Sequence, residues 1–187
     1  MKLIIVDRDG VINQDSDDFI KSPDEWTPIK GSLEALGKLT SAGYAIFIVT
    51  NQSGIARKLF TVGTLTRIHS KMIEAAKHHN AHISAILYCP HGPDDDCDCR
   101  KPKPGLFNEL AERLNQSLTG VFAIGDSIRD LQAAQAAGAS PILVKTGKGR
   151  KSHNALNKDL HPELKDTPVY KSLSDFVDHL LAKNDLT

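Results

Sequence analysis

Four places in this sequence carry residue types that can do chemistry. Asp7 and Asp9 follow one apolar run, Thr50 follows a second, Arg100 and Lys101 follow a third, and Asp126 follows a fourth. In an extended segment the side chains at i and i+2 point the same way, so Asp7 and Asp9 can address one spot beyond a strand's end. Alone, the run Asp7-Arg8-Asp9-Gly10 reads equally well as a strand ending in a polar turn, with Gly10 supplying a positive φ. The other loops decide between the two. Three carboxylates gathered at one point repel; two unit charges about 4 Å apart interact with roughly 4 kcal/mol at an effective dielectric of about 20. A cation must sit among them. Mg²⁺ suits such a set, because it prefers hard oxygen ligands and keeps places for water and a phosphate oxygen. Thr50, Lys101 and neighbouring amides would hold the remaining phosphate oxygens. The chemistry that follows is phosphoryl transfer with a covalent option. An aspartate attacks phosphorus once metal and Lys101 offset the repulsion, and a second acid, for which Asp9 is placed, serves the departing alkoxide and then the water.

A second set lies in one loop. Cys89, His91, Cys97 and Cys99 fall within eleven residues. Three thiolates and one imidazole complete a tetrahedral Zn²⁺ shell and leave no open position, so the zinc is read as structural. An odd, clustered set of cysteines is a poor disulfide framework. Arg100 and Lys101 follow the last ligand directly, so the metal would hold them against the active site. The acids at 94–96 read as solvated. His69, His82, His153, His161 and His179 show no ligand spacing and read as surface residues, as do His78 and His79 at a helix end.

The elements that must position these residues alternate. Strands are expected over 3–6, 44–49, 83–88, 121–124 and 141–144, and helices over 32–42, 64–79, 104–115 and 128–137. The segment 15–30 reads as a polar excursion anchored by Trp26. Residues 151–168 read as a charged, irregular and mobile surface segment, and 172–182 as a helix docking on the body. Alternation of this kind implies an α/β fold, a doubly wound parallel sheet with right-handed crossovers and a Rossmann-like core. In such sheets all strand-to-helix loops open on one edge. The chain is expected to be one domain over 1–187, its core over 1–150, with no separate cap domain.

Composition narrows the function. Lys plus Arg and Asp plus Glu both number 23 in 187 residues, which gives no electrostatic footprint for nucleic acid or an anionic membrane. The N-terminus enters a strand without a basic region or a cleavage signature, so a soluble, cytoplasmic protein is expected. An open site without a cap makes no demand for a partner subunit, and the expected state is a monomer acting on a small molecule.

The runs DRDG, TNQSG, CDCRKPKPG and GDS, each after an apolar strand, resemble the motifs of the haloacid dehalogenase superfamily of aspartate-nucleophile phosphatases. Within it, the chain over 1–150 is similar to the D,D-heptose 1,7-bisphosphate 7-phosphatases, a small, zinc-containing, capless branch. The resemblance implies Asp7 as nucleophile and Asp9 as general acid and base. It implies Mg²⁺ on the Asp7 carboxylate, the Asp9 main-chain carbonyl and the Asp126 carboxylate, and Thr50 and Lys101 on the phosphoryl group. It implies substrate contacts at Asp7, Arg8, Asp9, Asp15, Ser16, Asp17, Asp18, Phe19, Thr50, Asn51, Gln52, Ser53, Arg100 and Lys101. The substrate would be a phosphorylated sugar on the way to nucleotide-activated heptose and lipopolysaccharide core. Histidinol-phosphate phosphatases share a nearly identical zinc loop and form the alternative; a zinc-stabilised binding module without catalysis is a third reading, disfavoured by the balanced charge. Two positions depart from the pattern. Ser127 stands where many relatives carry lysine, which leaves the cationic role to Lys101, and Lys58 replaces a glycine often found after Arg57.

Overall fold

The computed structural model describes residues 1–184. Six strands are formed: β1 (Lys2–Val6), β2 (Tyr44–Asn51), β3 (Ile83–Cys89), β4 (Phe122–Gly125), β5 (Ser140–Val144) and β6 (Val169–Tyr170). Between and after them run α1 (Ser32–Ser41), α2 (Val62–Lys77), α3 (Gly105–Leu114), α4 (Ile128–Ala136), α5 (Gly149–Asn157) and α6 (Leu173–Asn184). The sheet order is β3-β2-β1-β4-β5-β6, with every pairing parallel. The chain builds outwards from β1 to β3 and then returns to the other side of β1. The order therefore reverses between β1 and β4, and ligands of open α/β sheets bind at that crevice.

The aliphatic run of β1 explains why it is central. Ile4 and Val6 point into one core with Leu36, Leu39, Ile68, Met72 and Phe176, so α1, α2 and α6 cover that face. Leu3 and Ile5 point into the other, with Leu106, Leu110, Ala133 and Ala134 of α3 and α4. A strand buried on both faces needs apolar residues at every position rather than at alternate ones. Trp26 is buried in the first core and pins down the polar excursion, as expected. No helix among the described residues is long and apolar enough to cross a membrane.

The segment 151–168 differs from expectation. It contributes α5 and a short 3-10 helix, Pro162–Leu164, and it leads into β6, which lies parallel to β5. Leu164 is buried against Leu131 and Leu143 in a third apolar cluster. The sequence signal is weak because Leu156, Leu160 and Leu164 recur every four residues but are interrupted by Pro162, with Leu160 exposed, and a two-residue edge strand has no pattern to read. If this segment is part of the folded body, Leu164→Ala should cost about 2 to 5 kcal/mol, the usual range for a leucine removed from a packed core. Urea unfolding of the variant checks this; a change below about 0.5 kcal/mol, typical of a surface substitution, would return the segment to the surface.

Candidate active site

The amide of Asp7 continues the β1–β4 ladder by donating to the Ile124 carbonyl at 2.9 Å, which places Asp7 at the mouth of the crevice. Asp126 follows the neighbouring strand directly. Gly10 (φ +81°) and Gly147 (φ +52°) back onto it, and a Cβ at either would collide with the Asp126 carboxylate. Asp126 Oδ2 also accepts the Lys148 backbone amide at 2.7 Å. Potential ligand oxygens of Asp7, Asp126 and Asp130 lie within 4.8 Å of one another.

Lys101 enters this group from the loop after β3. Its buried ammonium donates to Asp7 Oδ1 at 2.8 Å and to the Val49 carbonyl at 2.8 Å, and it pairs with Asp130 Oδ1 at 2.6 Å. All three ammonium hydrogens thus have partners. Burial alone would push Lys101 down, but Asp130 and Asp7 together raise it above its ordinary value. Asn51 fixes the lysine's main chain from both sides, donating to the Lys101 carbonyl and accepting from its amide, each at 3.1 Å.

Asp130 and Ser127 form a unit at the start of α4. The Ser127 amide and hydroxyl both donate to Asp130 Oδ2, at 2.9 and 2.6 Å. Burial alone would raise Asp130, but Lys101 and these two bonds hold it below the usual carboxylate range. Asp130 is the site residue that sequence reasoning missed. Its signal was present as a serine followed three residues later by an acid at a helix start.

Asp9 sits in a different environment. Arg8 Nη2 donates to both its carboxylate oxygens at 2.8 Å, Asn13 Nδ2 donates to Oδ1 and Gln52 Nε2 to Oδ2, each at 2.9 Å. Gln52 also donates to Thr50 Oγ1 at 3.0 Å, tying the proton-transfer candidate to the phosphate-binding candidate. Burial opposes ionisation of Asp9, yet Arg8 and these donors hold it below its ordinary value.

These residues open into a cavity of about 240 Å³. Its lining includes every substrate-contact candidate except Asp18. Asp18 is exposed and its amide donates to Ser16 Oγ at 3.2 Å, so it shapes the turn rather than the cavity. Arg57, Arg129 and Lys148 also line the cavity beside Arg100. Arg129 and Lys148 were not singled out by the sequence, since neither adjoins a recognisable motif. Lys148 reaches Asp15 at 3.2 Å across the mouth, and Arg57 stands over the Phe19 ring with 5.7 Å to its centroid. Lys58 has φ 57°, the left-handed conformation that glycine adopts most easily.

In the cysteine loop, Cys89 Sγ lies 3.1 Å from Cys99 Sγ and 3.7 Å from Cys97 Sγ, and His91 Nδ1 lies 3.2 Å from Cys99 Sγ. All are far beyond a disulfide bond; the 3.7 Å separation matches the roughly 3.8 Å edge of a tetrahedron with Zn–S bonds of about 2.3 Å, and the other two are tighter than it. Arg100 Nη1 donates to the His91 carbonyl at 3.1 Å, so the loop and the cavity share a strut. His69, expected at the surface, is buried and meets the Arg8 guanidinium.

The acidic cluster has a measurable consequence. Burial first, and then neighbouring carboxylates against the pull of Lys101, raise Asp7 to about 7; burial, Asp130 and Asp7 raise Asp126 to about 8. Between about pH 4 and pH 8 the metal-free folded state therefore holds protons that the unfolded chain has lost, and stability falls as pH rises through that window. A divalent cation on the ionised carboxylates reverses the penalty. The melting temperature without metal should drop from about pH 5 to about pH 8, and Mg²⁺ should raise it more at the higher pH. Equal Mg²⁺ increments at both would remove these carboxylates from the metal site.

Comparison with known proteins agrees with this geometry. A family model described as "HAD-hyrolase-like" matches residues 98–176. The chain is 48% identical over 184 residues to the D-glycero-beta-D-manno-heptose-1,7-bisphosphate 7-phosphatase of Neisseria meningitidis, covering 98% of this chain and 97% of that one. It is 57% identical over 152 residues to the enzyme of the same name from Bordetella bronchiseptica, covering 81% and 85%. A crystal structure of D,D-heptose 1,7-bisphosphate phosphatase from B. bronchiseptica, complexed with magnesium and phosphate, superposes with a TM-score of 0.92 at 51% identity, covering 98% of this chain and 99% of that one. The chain belongs to the D,D-heptose 1,7-bisphosphate 7-phosphatase family of the haloacid dehalogenase superfamily.

Proposed function

We propose that this protein is a phosphoric monoester hydrolase that removes the C7 phosphate of D-glycero-D-manno-heptose 1,7-bisphosphate and leaves heptose 1-phosphate, in the cytoplasmic supply of nucleotide-heptose for lipopolysaccharide core. The observation that carries this reading is the Asp7–Lys101–Asp130 chain beside Asp126, on a chain whose close relatives bear that activity. The three clustered carboxylates face a single ammonium, and that excess negative charge suits a hard divalent cation. The Asp7 carboxylate, the Asp9 main-chain carbonyl and the Asp126 carboxylate would hold Mg²⁺, which supplies charge neutralisation and orients a phosphoryl oxygen.

Asp7 Oδ attacks phosphorus; an O–P bond forms to Asp7 while the bond to the sugar's O7 breaks. Asp9, which must take up a proton as the phosphate dianion approaches, delivers it to that oxygen, then takes one from the water that attacks the aspartyl-phosphate, releasing inorganic phosphate and free Asp7. Lys101 and Thr50 hold the phosphoryl oxygens as charge builds. Arg57, Arg100 and Arg129 line the same cavity and offer a positive field to the second phosphate. Asp15, Ser16, Asp17, Phe19 and Ser53 border the space for the sugar.

Zn²⁺ on Cys89, His91, Cys97 and Cys99 would order the loop that delivers Arg100 and Lys101. Elemental analysis should find about one zinc per chain, and Cys97→Ser should lower metal content and activity together. Full activity with no bound zinc would remove the structural role.

Phosphate release from both anomers of the bisphosphate and from histidinol phosphate tests the substrate. The heptose bisphosphate should be preferred, Asp7→Asn should fall to background, and Asp9→Asn should lose about 10² to 10⁴ in rate. Preference for histidinol phosphate would move the assignment to the sister activity.

A further inference from the structure

His69 lies on the buried face of α2 with Leu65, Ile68, Met72 and Ala76. It is 8% exposed, and its ring meets Tyr88 edge-on with 6.2 Å between centroids. Its Nε2 is 3.3 Å from Nη1 of Arg8, a residue itself 1% exposed. A guanidinium has five donors and no acceptor, so Nε2 must be the accepting nitrogen and the ring proton must lie on Nδ1. Burial, together with the Arg8 charge and against the attraction of Asp9, lowers His69 to about 4, consistent with a neutral ring.

The opposite edge of the same guanidinium holds Asp9. Nε donates to Oδ1 at 3.1 Å, and Nη2 donates to both oxygens at 2.8 Å. Arg8 is therefore fixed at two edges, by a neutral imidazole on one and a carboxylate on the other. We infer that His69 is a positioning residue for proton transfer: by accepting from Arg8 it fixes the guanidinium that orients the Asp9 carboxylate toward the leaving oxygen. Without the acceptor, Nη1 is a buried donor lacking its partner, and the guanidinium can turn to find another. Displacements of about 1 Å at a reacting group can cost around 10²-fold in rate. The inference rests on the reading of Asp9 as proton donor.

The leaving group separates positioning from general damage. An alkoxide needs a proton as it departs, whereas p-nitrophenolate does not, and kcat/KM reports only the steps through transfer of phosphorus to Asp7. His69→Phe keeps a ring against Tyr88 and removes the acceptor. It should lower kcat/KM for the heptose bisphosphate by about 10- to 100-fold and that for p-nitrophenyl phosphate by less than about threefold. His69→Gln, whose amide oxygen can accept from Arg8, should keep both within about threefold. Thermal melting verifies the folded state, and His69→Leu serves as a second acceptor-free variant. Equal losses on both substrates, no loss on either, failure of both acceptor-free variants to fold, or failure of His69→Gln to restore activity would each overturn the inference. Asp9→Asn is the control. If it shows no leaving-group split, the proton-donor reading itself is wrong; if it shows one and His69→Phe does not, only the role of His69 falls.

Discussion

The active edge of this protein depends on one buried ammonium. Lys101 separates two carboxylates that a parallel sheet with this strand order brings together: Asp7, which follows β1, and Asp130, in the first turn of the helix after the neighbouring β4. Their mutual repulsion in a poorly solvated crevice would oppose folding, and a single cation with three donors relieves it while also accepting the constraint of the Val49 carbonyl. The arrangement is a compromise between stability and function. Enough negative charge is left over to favour a divalent metal, and enough positive charge is present to let a carboxylate approach a phosphate.

Everything that holds Lys101 can be traced outward. Asn51, at the end of β2, grips its backbone; Ser127 at the head of α4 orients Asp130, its second carboxylate; and the cysteine loop ends on the residues immediately before it. Three elements remote in the chain thus converge on one side chain. A metal in the cysteine loop would act on catalysis through this convergence, since three thiolates and an imidazole would fill its shell and leave no place for substrate.

Asp9 illustrates a different principle. Next to Asp7 in space and two residues away in sequence, it avoids the crowded centre by having its own guanidinium, an asparagine and a glutamine. Two aspartates of the same motif are thereby placed in opposite electrostatic environments, one raised by burial among carboxylates and one lowered by donors. In the metal-free protein this separation runs against the proposed roles, because a nucleophile works ionised and an acid works protonated; a cation on Asp7 and a phosphate dianion beside Asp9 would shift each the other way.

The sequence by itself determined the α/β alternation, the two cores that β1 divides, the sheet edge where the acidic and basic residues gather and the cluster of three cysteines and one histidine in the loop, because apolar runs, motif spacing and residue types are local properties. Boundaries moved by only a residue or two at most elements. It did not reveal Asp130, Arg129, Lys148 or His69. Their significance comes from partners distant in the chain: Lys101 for Asp130, Arg8 for His69, the cavity for the two cations. Nor could it show that 151–168 folds, since Leu164 becomes a core residue only once Leu131 and Leu143 are beside it. Tertiary structure decided these matters because the energy of a buried charge or a lone apolar side chain depends on what surrounds it, and surroundings are made by the fold.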